Sequence, residues 1–430
     1  MAAQICDLPN ELLLKIFGFL DGASIARCSS ICKQWNAVTT LILQCNGAWH
    51  AMCTAEIDST ILAELTRGAV HRSEHNSSAD EAIDWLKVYI WWYGTASVGT
   101  QKHDVRHFDI DGQSSIICAN VSGSGIVTGH KDGTVTIRDV SGNWRVLTEH
   151  SGPISDIAFV DVVRKGHYAD DFTTCHHHHV ITSSHDHSIR ITSLCHRPGP
   201  IIEYFGSAVL QVKVSDDVLA VLLHLNVVIL YKINLQECTS GNQISLTRMW
   251  SNSFASMGQV WMGFHGTKVH IMGTNNTVRE INIGSRAEGV WGVSFRRRWD
   301  SDQPLYPMYP TRITIERGSV FIMTTATQDL CMSADGQYFT SYPAGLEMGH
   351  VTAVALNGAL LAVALSHGVL NLYHVASVSD VTRLHLSAPQ WTKKLANDAL
   401  NSVCISHGVD GAPLIVACTL RQVYVLQWGL

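Results

Sequence analysis

Internal repetition is the feature that most limits what this chain can fold into. Across residues 105–430, a unit of two alternating strands joined by a short turn occurs seven times. The most regular copies are GIVTGHKDGTVTIRDV at 125–140 and VITSSHDHSIRITSL at 180–194. Another apolar strand precedes each copy. Seven units over roughly 320 residues are spaced slightly wider than the roughly 40–45 residues of a four-stranded propeller blade. We therefore predict an all-β seven-bladed propeller over residues 101–430.

Five weaker copies complete the count. They begin at Leu219, Val269, Val320, Leu360 and Leu414. The chain ends in the third strand of the last blade, and an open sheet edge favours aggregation. We therefore predict that the alternating stretch at 105–110 returns to supply the fourth strand. The extra length is assigned to three insertions, at 161–179, 234–246 and 296–310.

The first hundred residues show helical periodicity instead of strand alternation. One stripe follows Pro9 and consists of Leu12, Leu13, Ile16, Phe17 and Leu20. A second stripe consists of Ile25, Cys28, Cys32 and Trp35, and a third of Val38, Leu41, Ile42, Cys45 and Trp49. Three short helices make a small bundle that leaves apolar surface exposed. Ser78 and Glu81 fit a capping box ahead of a further helix.

The run LPNELLLKIFGFLDGASIARCSSICKQWNAV at 8–38 resembles an F-box. Leu-Pro-x-Glu, Ile-Phe-x-Phe-Leu and Ile-Cys-Lys-x-Trp occur in the family's order, and AWHAMC at 48–53 is similar to its closing segment. Residues 22–25 depart from the family, which more often has a proline and an Asp-Leu pair there. The resemblance implies a small all-α F-box module at 5–53, a helical linker at 54–100, and docking onto the Skp adaptor of a cullin-based ligase. The implied adaptor-binding residues are Leu8, Pro9, Leu12, Ile16, Phe17, Leu20, Cys32 and Trp35.

The first two β-units resemble degenerate WD repeats. Asp132 and Asp186 stand at the inner-turn aspartate of that family, and His150 stands in its Gly-His turn. The family's Trp-Asp pair is replaced by Arg138-Asp139 and Thr192-Ser193. We therefore expect its buried His–Ser/Thr–Asp–Trp hydrogen-bond network to be incomplete.

The same resemblance suggests where a target protein is held. In related F-box/WD-repeat receptors, arginines two positions after the inner-turn Ser or Thr line the substrate face. That position is Arg190 in the second unit and Arg279 in the fourth. Two arginines are few for a dedicated phosphate reader, although guanidinium groups suit phosphate. We predict a mixed polar and apolar substrate surface with Arg190 and Arg279 as secondary contacts.

The sequence contains no strong signal for catalysis or metal binding. Gly-x-Ser-x-Gly, His-Glu-x-x-His and phosphate-loop patterns do not occur. Four successive histidines at 176–179 cannot all face one ion, so the Cys-His tract at 175–179 is predicted to be a loop without metal. The arginine triplet at 296–298 is interpreted as a solvated loop. The apolar inner strands give no indication of a polar site in the central channel. We expect no enzyme activity and no cofactor.

Composition and charge limit the functional classes to which the protein can belong. Thirty basic and 36 acidic residues give a net charge of −6, which argues against a dedicated nucleic-acid binder. No apolar run is long enough to span a bilayer, and the first residues lack a secretory pattern. The 12 cysteines contain no Cys-x-x-Cys pair, as expected of a cytoplasmic or nuclear protein. The predicted function is the substrate-recognition subunit of a Skp-cullin-F-box ubiquitin ligase, whose propeller binds a target protein. The alternative is a scaffold that binds partners without ubiquitin transfer.

Overall fold

A computed structural model describes most of the chain. The described residues are 8–73, 83–110, 114–123, 125–160, 179–194, 200–215, 217–238, 241–275, 277–287, 290–299, 310–316, 320–325, 329–334, 339–342, 349–408 and 412–429. Within these ranges, six α-helices are followed by strands that form seven antiparallel sheets of four strands each. This is the predicted small helical module followed by a seven-bladed propeller.

The helices begin and end at different residues from the predicted apolar stripes. They are α1 (Asn10–Phe17), α2 (Gly22–Cys28), α3 (Lys33–Leu43), α4 (Asn46–Glu56), α5 (Ser59–Ser73) and α6 (Trp85–Ala96). The second stripe is divided because Cys32 caps α3, with its Sγ accepting from the Trp35 amide at 3.5 Å. The third stripe is divided between α3 and α4. There the Trp49 indole N–H donates to the Leu43 carbonyl at 2.9 Å and satisfies one of the carbonyls at the end of α3.

Helix α6 begins later than the sequence predicts. Asp84 is its N-cap and accepts from the Lys87 amide at 3.2 Å. The predicted capping residues Ser78 and Glu81 lie outside the described residues. The Asn46 side chain joins α4 to the start of α6, since it donates to the Ile83 carbonyl and accepts from the Trp85 amide.

The first four blades are consecutive meanders. Blade one contains β2 (Ile116–Ser122), β3 (Gly125–His130), β4 (Thr134–Arg138) and β5 (Trp144–Glu149). Blade two contains β6 (Ile154–Val160), β7 (His179–Ser184), β8 (Ser188–Ser193) and β9 (Ile201–Tyr204). Blade three contains β10 (Val209–Ser215), β11 (Val218–Leu223), β12 (Val227–Cys238) and β13 (Gly241–Ser253). Blade four contains β14 (Val260–His265), β15 (Lys268–Gly273), β16 (Val278–Ala287) and β17 (Val290–Trp299).

The last three blades bring the chain back to its first strand. Blade five contains β18 (Pro310–Glu316), β19 (Val320–Thr325), β20 (Leu330–Ser333) and β21 (Thr340–Tyr342). Blade six contains β22 (Val351–Asn357), β23 (Leu360–Leu365), β24 (Val369–His374) and β25 (Trp391–Lys394). Blade seven contains β26 (Ser402–His407), β27 (Pro413–Cys418), β28 (Gln422–Trp428) and β1 (His103–Asp109).

The predicted ring closure is confirmed. Strand β1 pairs with β28 in antiparallel register from His103 opposite Trp428 to Asp109 opposite Gln422. The Trp428 side chain is fully buried, and its indole N–H donates to the Val98 carbonyl at 3.0 Å. The last strand of the chain is therefore joined both to the first strand and to the segment that leaves α6.

The predicted insertion at 234–246 and the first residues of the one at 296–310 are strands instead of loops, while residues 300–309 lie outside the described part of the chain. Strands β12 and β13 pair from Val227–Ser253 to Cys238–Gly241, so residues 234–238 and 241–246 belong to a long hairpin. The arginine triplet at 296–298 lies in β17. A hairpin pairs its own backbone groups, so it can extend past the blade without leaving them unsatisfied.

Side chains of the inner strands connect neighbouring blades around the central channel. The Asn120 side-chain Nδ2 donates to the Ile157 carbonyl at 2.9 Å, and the Asp156 carboxylate accepts from the Val212 amide at 3.2 Å. The Gln211 side-chain Oε1 accepts from the Met262 amide at 2.9 Å. The channel, about 580 Å³ in volume, is therefore partly polar. This differs from the expectation that the apolar inner strands leave no polar groups in the channel. These polar groups link the blades to one another.

The WD-like network is present in part. In blade two, His150 Nδ1 lies 3.0 Å from both Asp186 Oδ2 and Ser188 Oγ, and Nε2 lies 2.9 Å from Thr182 Oγ1. In blade one, Arg138 takes the tryptophan position. Its guanidinium carbon lies 5.5 Å from the Phe108 ring centroid, a cation–π contact that ties β4 to the closing strand.

Two buried histidines make the propeller sensitive to acid. Burial lowers the pKa of His130 and of His150, although Asp186 partly opposes this at His150. Both therefore bind a proton less readily in the folded state than in the unfolded chain, whose histidine pKa is roughly 6.5. We expect the free energy of unfolding to fall below that pH, by up to about 1.4 kcal/mol per pH unit for each histidine. Urea denaturation at pH 7.5 and 5.5 measures this, and equal stabilities would contradict it.

The helices contact one face of the propeller. Thr95 Oγ1 accepts from the Ala359 amide at 3.2 Å, the Gln390 side chain donates to the Ala96 carbonyl at 3.1 Å, and Trp91 stacks on His407 at 5.2 Å. All three propeller residues lie at connections between first and second or third and fourth strands. Because blade strands are antiparallel, these connections share one face, which we call the proximal face. The turns between second and third strands form the opposite, distal face.

Candidate functional site

Helix α1 is apolar on two sides. Leu13 and Phe17 are 0% and 1% exposed and pack in the core of the helical module. Leu12 and Ile16 are 45% and 40% exposed, and Phe19 just after the helix is 91% exposed. Positions 12, 16 and 19 follow the i, i+4, i+7 spacing of one helical face. We call these three residues the docking patch, because exposed apolar side chains at this spacing are typical of helix-mediated protein contacts.

The residues predicted to bind the adaptor occupy three environments. Pro9, Leu12 and Ile16 are exposed, whereas Leu8, Leu20, Cys32 and Trp35 are half-buried. Phe17 lies in the core, so a change there would act through folding. Trp35 supports it edge-on, with ring centroids 5.1 Å apart. The Gln34 side-chain Nε2 donates to the Leu8 carbonyl at 2.9 Å and holds the Leu-Pro segment against α3.

The prediction omitted four exposed apolar side chains. They are Leu14, Phe19, Ile31 and Leu41. Phe19 is the most exposed, and its position seven residues after Leu12 is the signal that identifies it. This spacing places Phe19 on the same face as Leu12 and Ile16, although the sequence does not show that this face is free.

Arg190 and Arg279 both lie near the distal face. Arg190 is the third residue of β8 in blade two, and Arg279 is the second residue of β16 in blade four. Blade three separates them, and both are half-buried. The distal turns also carry exposed side chains of mixed chemistry. These include Lys131, Asp132, His185, His187, His224, Leu225, Asn275, His367, Leu420 and Arg421.

No group of three or more metal-ligating side chains occurs within the described part of the chain. Of the predicted Cys-His loop, residues 175–178 lie outside that part. The prediction of a loop is wrong for His179, which is buried and is the first residue of β7. None of the described helices is long and apolar enough to cross a membrane.

The absence of a structural metal stays a prediction for the Cys-His tract. Treating the intact protein with a chelator is expected to leave its melting temperature unchanged, since metal that stabilises a fold contributes directly to its folding free energy. Differential scanning calorimetry with and without the chelator measures this. A chelator-dependent decrease in melting temperature would show that the tract binds structural metal.

Comparison with known proteins agrees with the two parts of the fold. Residues 5–54 match the F-box-like family model. The human F-box only protein 48 is 29% identical over 115 residues, which cover 27% of this chain and 61% of that protein. The β-propeller domain of Cps50 (Swd1) from Myceliophteria thermophila superposes with a TM-score of 0.50 at 11% identity, over 76% of this chain and all of that domain.

These findings define the class of the protein. It joins an N-terminal F-box-like domain to a seven-bladed β-propeller. The chain spans about 61% of the length of its human relative. The propeller comparison, at 11% identity, shows only that the two folds are alike.

Proposed function

We propose that this protein is the substrate-recognition subunit of a Skp-cullin-F-box ubiquitin ligase. The docking patch, on α1 and just after it, carries this proposal, because a monomeric domain gains nothing from exposing Leu12, Ile16 and Phe19 to water. A Skp adaptor covers the patch, and the adaptor connects the chain to a cullin. The protein itself does no bond chemistry, which is the usual role of F-box proteins that carry a propeller.

The arrangement of the two parts supports this role. The helices are fixed to the proximal face through Thr95, Ala96 and Trp91, so the distal face is left for a target protein. A receptor held in this way raises the concentration of its target near the conjugating enzyme.

Reconstitution tests the proposal. The full chain, purified with a Skp adaptor and a cullin, is expected to form a stable complex and to support ubiquitin transfer to a partner captured under proteasome inhibition. Transfer should be lost when the adaptor is omitted. A complex that holds the partner without modifying it would contradict this function and favour the scaffold.

The distal face is expected to bind its target through mixed contacts. Arg190 and Arg279 are half-buried and belong to non-adjacent blades, so they contribute little of the contact area. Replacing both by glutamate should weaken partner capture by less than about tenfold, since contacts at the edge of an interface contribute little. Quantitative affinity purification measures this. Complete loss, reproduced by phosphatase treatment, would show that a phosphorylated target is read instead.

A further inference from the structure

A second apolar surface lies on the helical module and shares no residue with the docking patch. It is a groove of about 450 Å³ between α2, α4 and α6. Trp49 and Tyr89 form part of its lining, together with Leu43, Leu86 and Ile90. The volume is within the range of roughly 300–1,000 Å³ that is typical of binding pockets. None of the docking-patch residues lines it.

The aromatic lining is rigidly held. A Cβ atom on Gly22 would lie 2.7 Å from the Tyr89 ring and 2.8 Å from the Trp49 ring, so only glycine allows α2 to approach this closely. The Tyr89 hydroxyl donates to Glu56 Oε2 at 2.7 Å and accepts from the Ala23 amide at 3.2 Å. The groove therefore exists before anything binds, and an occupant meets a preformed surface.

The backbone around the groove offers an occupant no free donors at the start of α2. The Gly22 amide donates to Glu56 Oε1 at 3.1 Å, and the Ser24 amide donates to Asp21 Oδ1 at 2.6 Å. The Ala23 amide is bonded to Tyr89. An occupant cannot be recognised through main-chain hydrogen bonds here, so it must satisfy its own backbone groups. A helix does so, and apolar helix faces are suited to apolar grooves.

Charge further restricts the occupant. Arg27 is the single charged residue in the described lining of the groove, and it is exposed at its edge. Its Nη2 lies 3.4 Å from the Tyr93 hydroxyl, which orients the guanidinium. A guanidinium has five N–H donors, so others remain for a carboxylate.

We propose that this groove is a second protein-docking site that binds one amphipathic helix of a partner. The helix inserts bulky apolar side chains over Trp49 and Tyr89 and places an aspartate or glutamate against Arg27. The inference is independent of the proposed ligase function, because it uses none of the docking patch.

A phage-displayed library of helix-forming peptides tests the proposal when it is selected on the full chain. Enriched peptides are expected to share apolar residues one helical turn apart and a nearby acidic residue. Ala26 is exposed at the groove, so Ala26→Trp should fill it and weaken peptide binding at least tenfold. Arg27→Glu should weaken binding severalfold, and Arg27→Lys should retain most of it.

Matched controls separate the groove from other apolar surfaces. Leu225→Trp on the distal face should leave peptide binding unchanged, and adaptor binding should survive Ala26→Trp. If Ala26→Trp unfolds at a lower temperature than the natural chain, Ile90→Lys serves as the second groove variant. Failure to enrich peptides, or peptides that bind the groove variants as well as the natural chain, would overturn the site. Groove-dependent peptides without a carboxylate would overturn the role of Arg27.

Discussion

Replacing Leu12 and Ile16 by aspartate is expected to abolish adaptor binding while the protein stays folded. Both side chains are exposed in the free protein and central to the docking patch. Apolar anchors at the centre of an interface contribute roughly 2 kcal/mol or more each, and a buried unpaired carboxylate adds a desolvation cost. Two such changes correspond to a loss of at least about a thousandfold in affinity. Titration of the purified chain with the Skp adaptor in a calorimeter measures this.

The control for this variant is the neighbouring core position. Phe17→Ala should cost about 3–5 kcal/mol of stability, because it leaves a cavity in the helical module. It should therefore weaken adaptor binding only through unfolding of the module, visible as lost helical signal. Leu225→Asp together with Leu420→Asp, on exposed residues of the distal face, should leave adaptor affinity unchanged. Adaptor binding by the Leu12 and Ile16 variant at natural affinity would show that the docking patch serves another purpose.

Trp428→Ala is expected to be the most destabilising single change in the propeller. Trp428 is fully buried, packs against Trp391 with ring centroids 5.7 Å apart and is hydrogen-bonded to Val98. Truncating a buried tryptophan costs about 3–5 kcal/mol. The change also loosens the ring closure, because Trp428 lies opposite His103 at the end of the β1–β28 pair. Thermal unfolding of the propeller measures the loss.

Trp144 provides the matched tryptophan control. It is 49% exposed on the outer strand of blade one, so Trp144→Ala should change stability by no more than about 1 kcal/mol. The loss of stability in Trp428→Phe should lie between those of the two alanine variants, because phenylalanine keeps an aromatic ring but cannot make the hydrogen bond to Val98. Equal destabilisation by the two alanine variants would mean that ring closure does not limit the stability of the propeller.

The architecture was predictable because it depends on signals that are local in sequence. Short apolar runs such as VLAVLL and LLAVAL, separated by turn residues, indicate blade strands wherever they occur. Short sequence motifs likewise indicate the F-box. The closing strand followed from counting strands, since the last blade lacked one. The sequence also identifies Arg138 as a departure from the WD pattern, but only the structure shows its cation–π contact with Phe108.

The surfaces were decided by tertiary structure, because burial depends on residues distant in sequence. Phe17 and Phe19 are two positions apart in one apolar run, yet one is 1% and the other 91% exposed. Packing against Val38 and Trp35 distinguishes them. Likewise, Asn120 and Gln211 are only polar interruptions of apolar strands until the next blade supplies a backbone partner. Periodicity shows which residues share a face of a helix or strand, but only the packing of distant segments determines whether that face is covered.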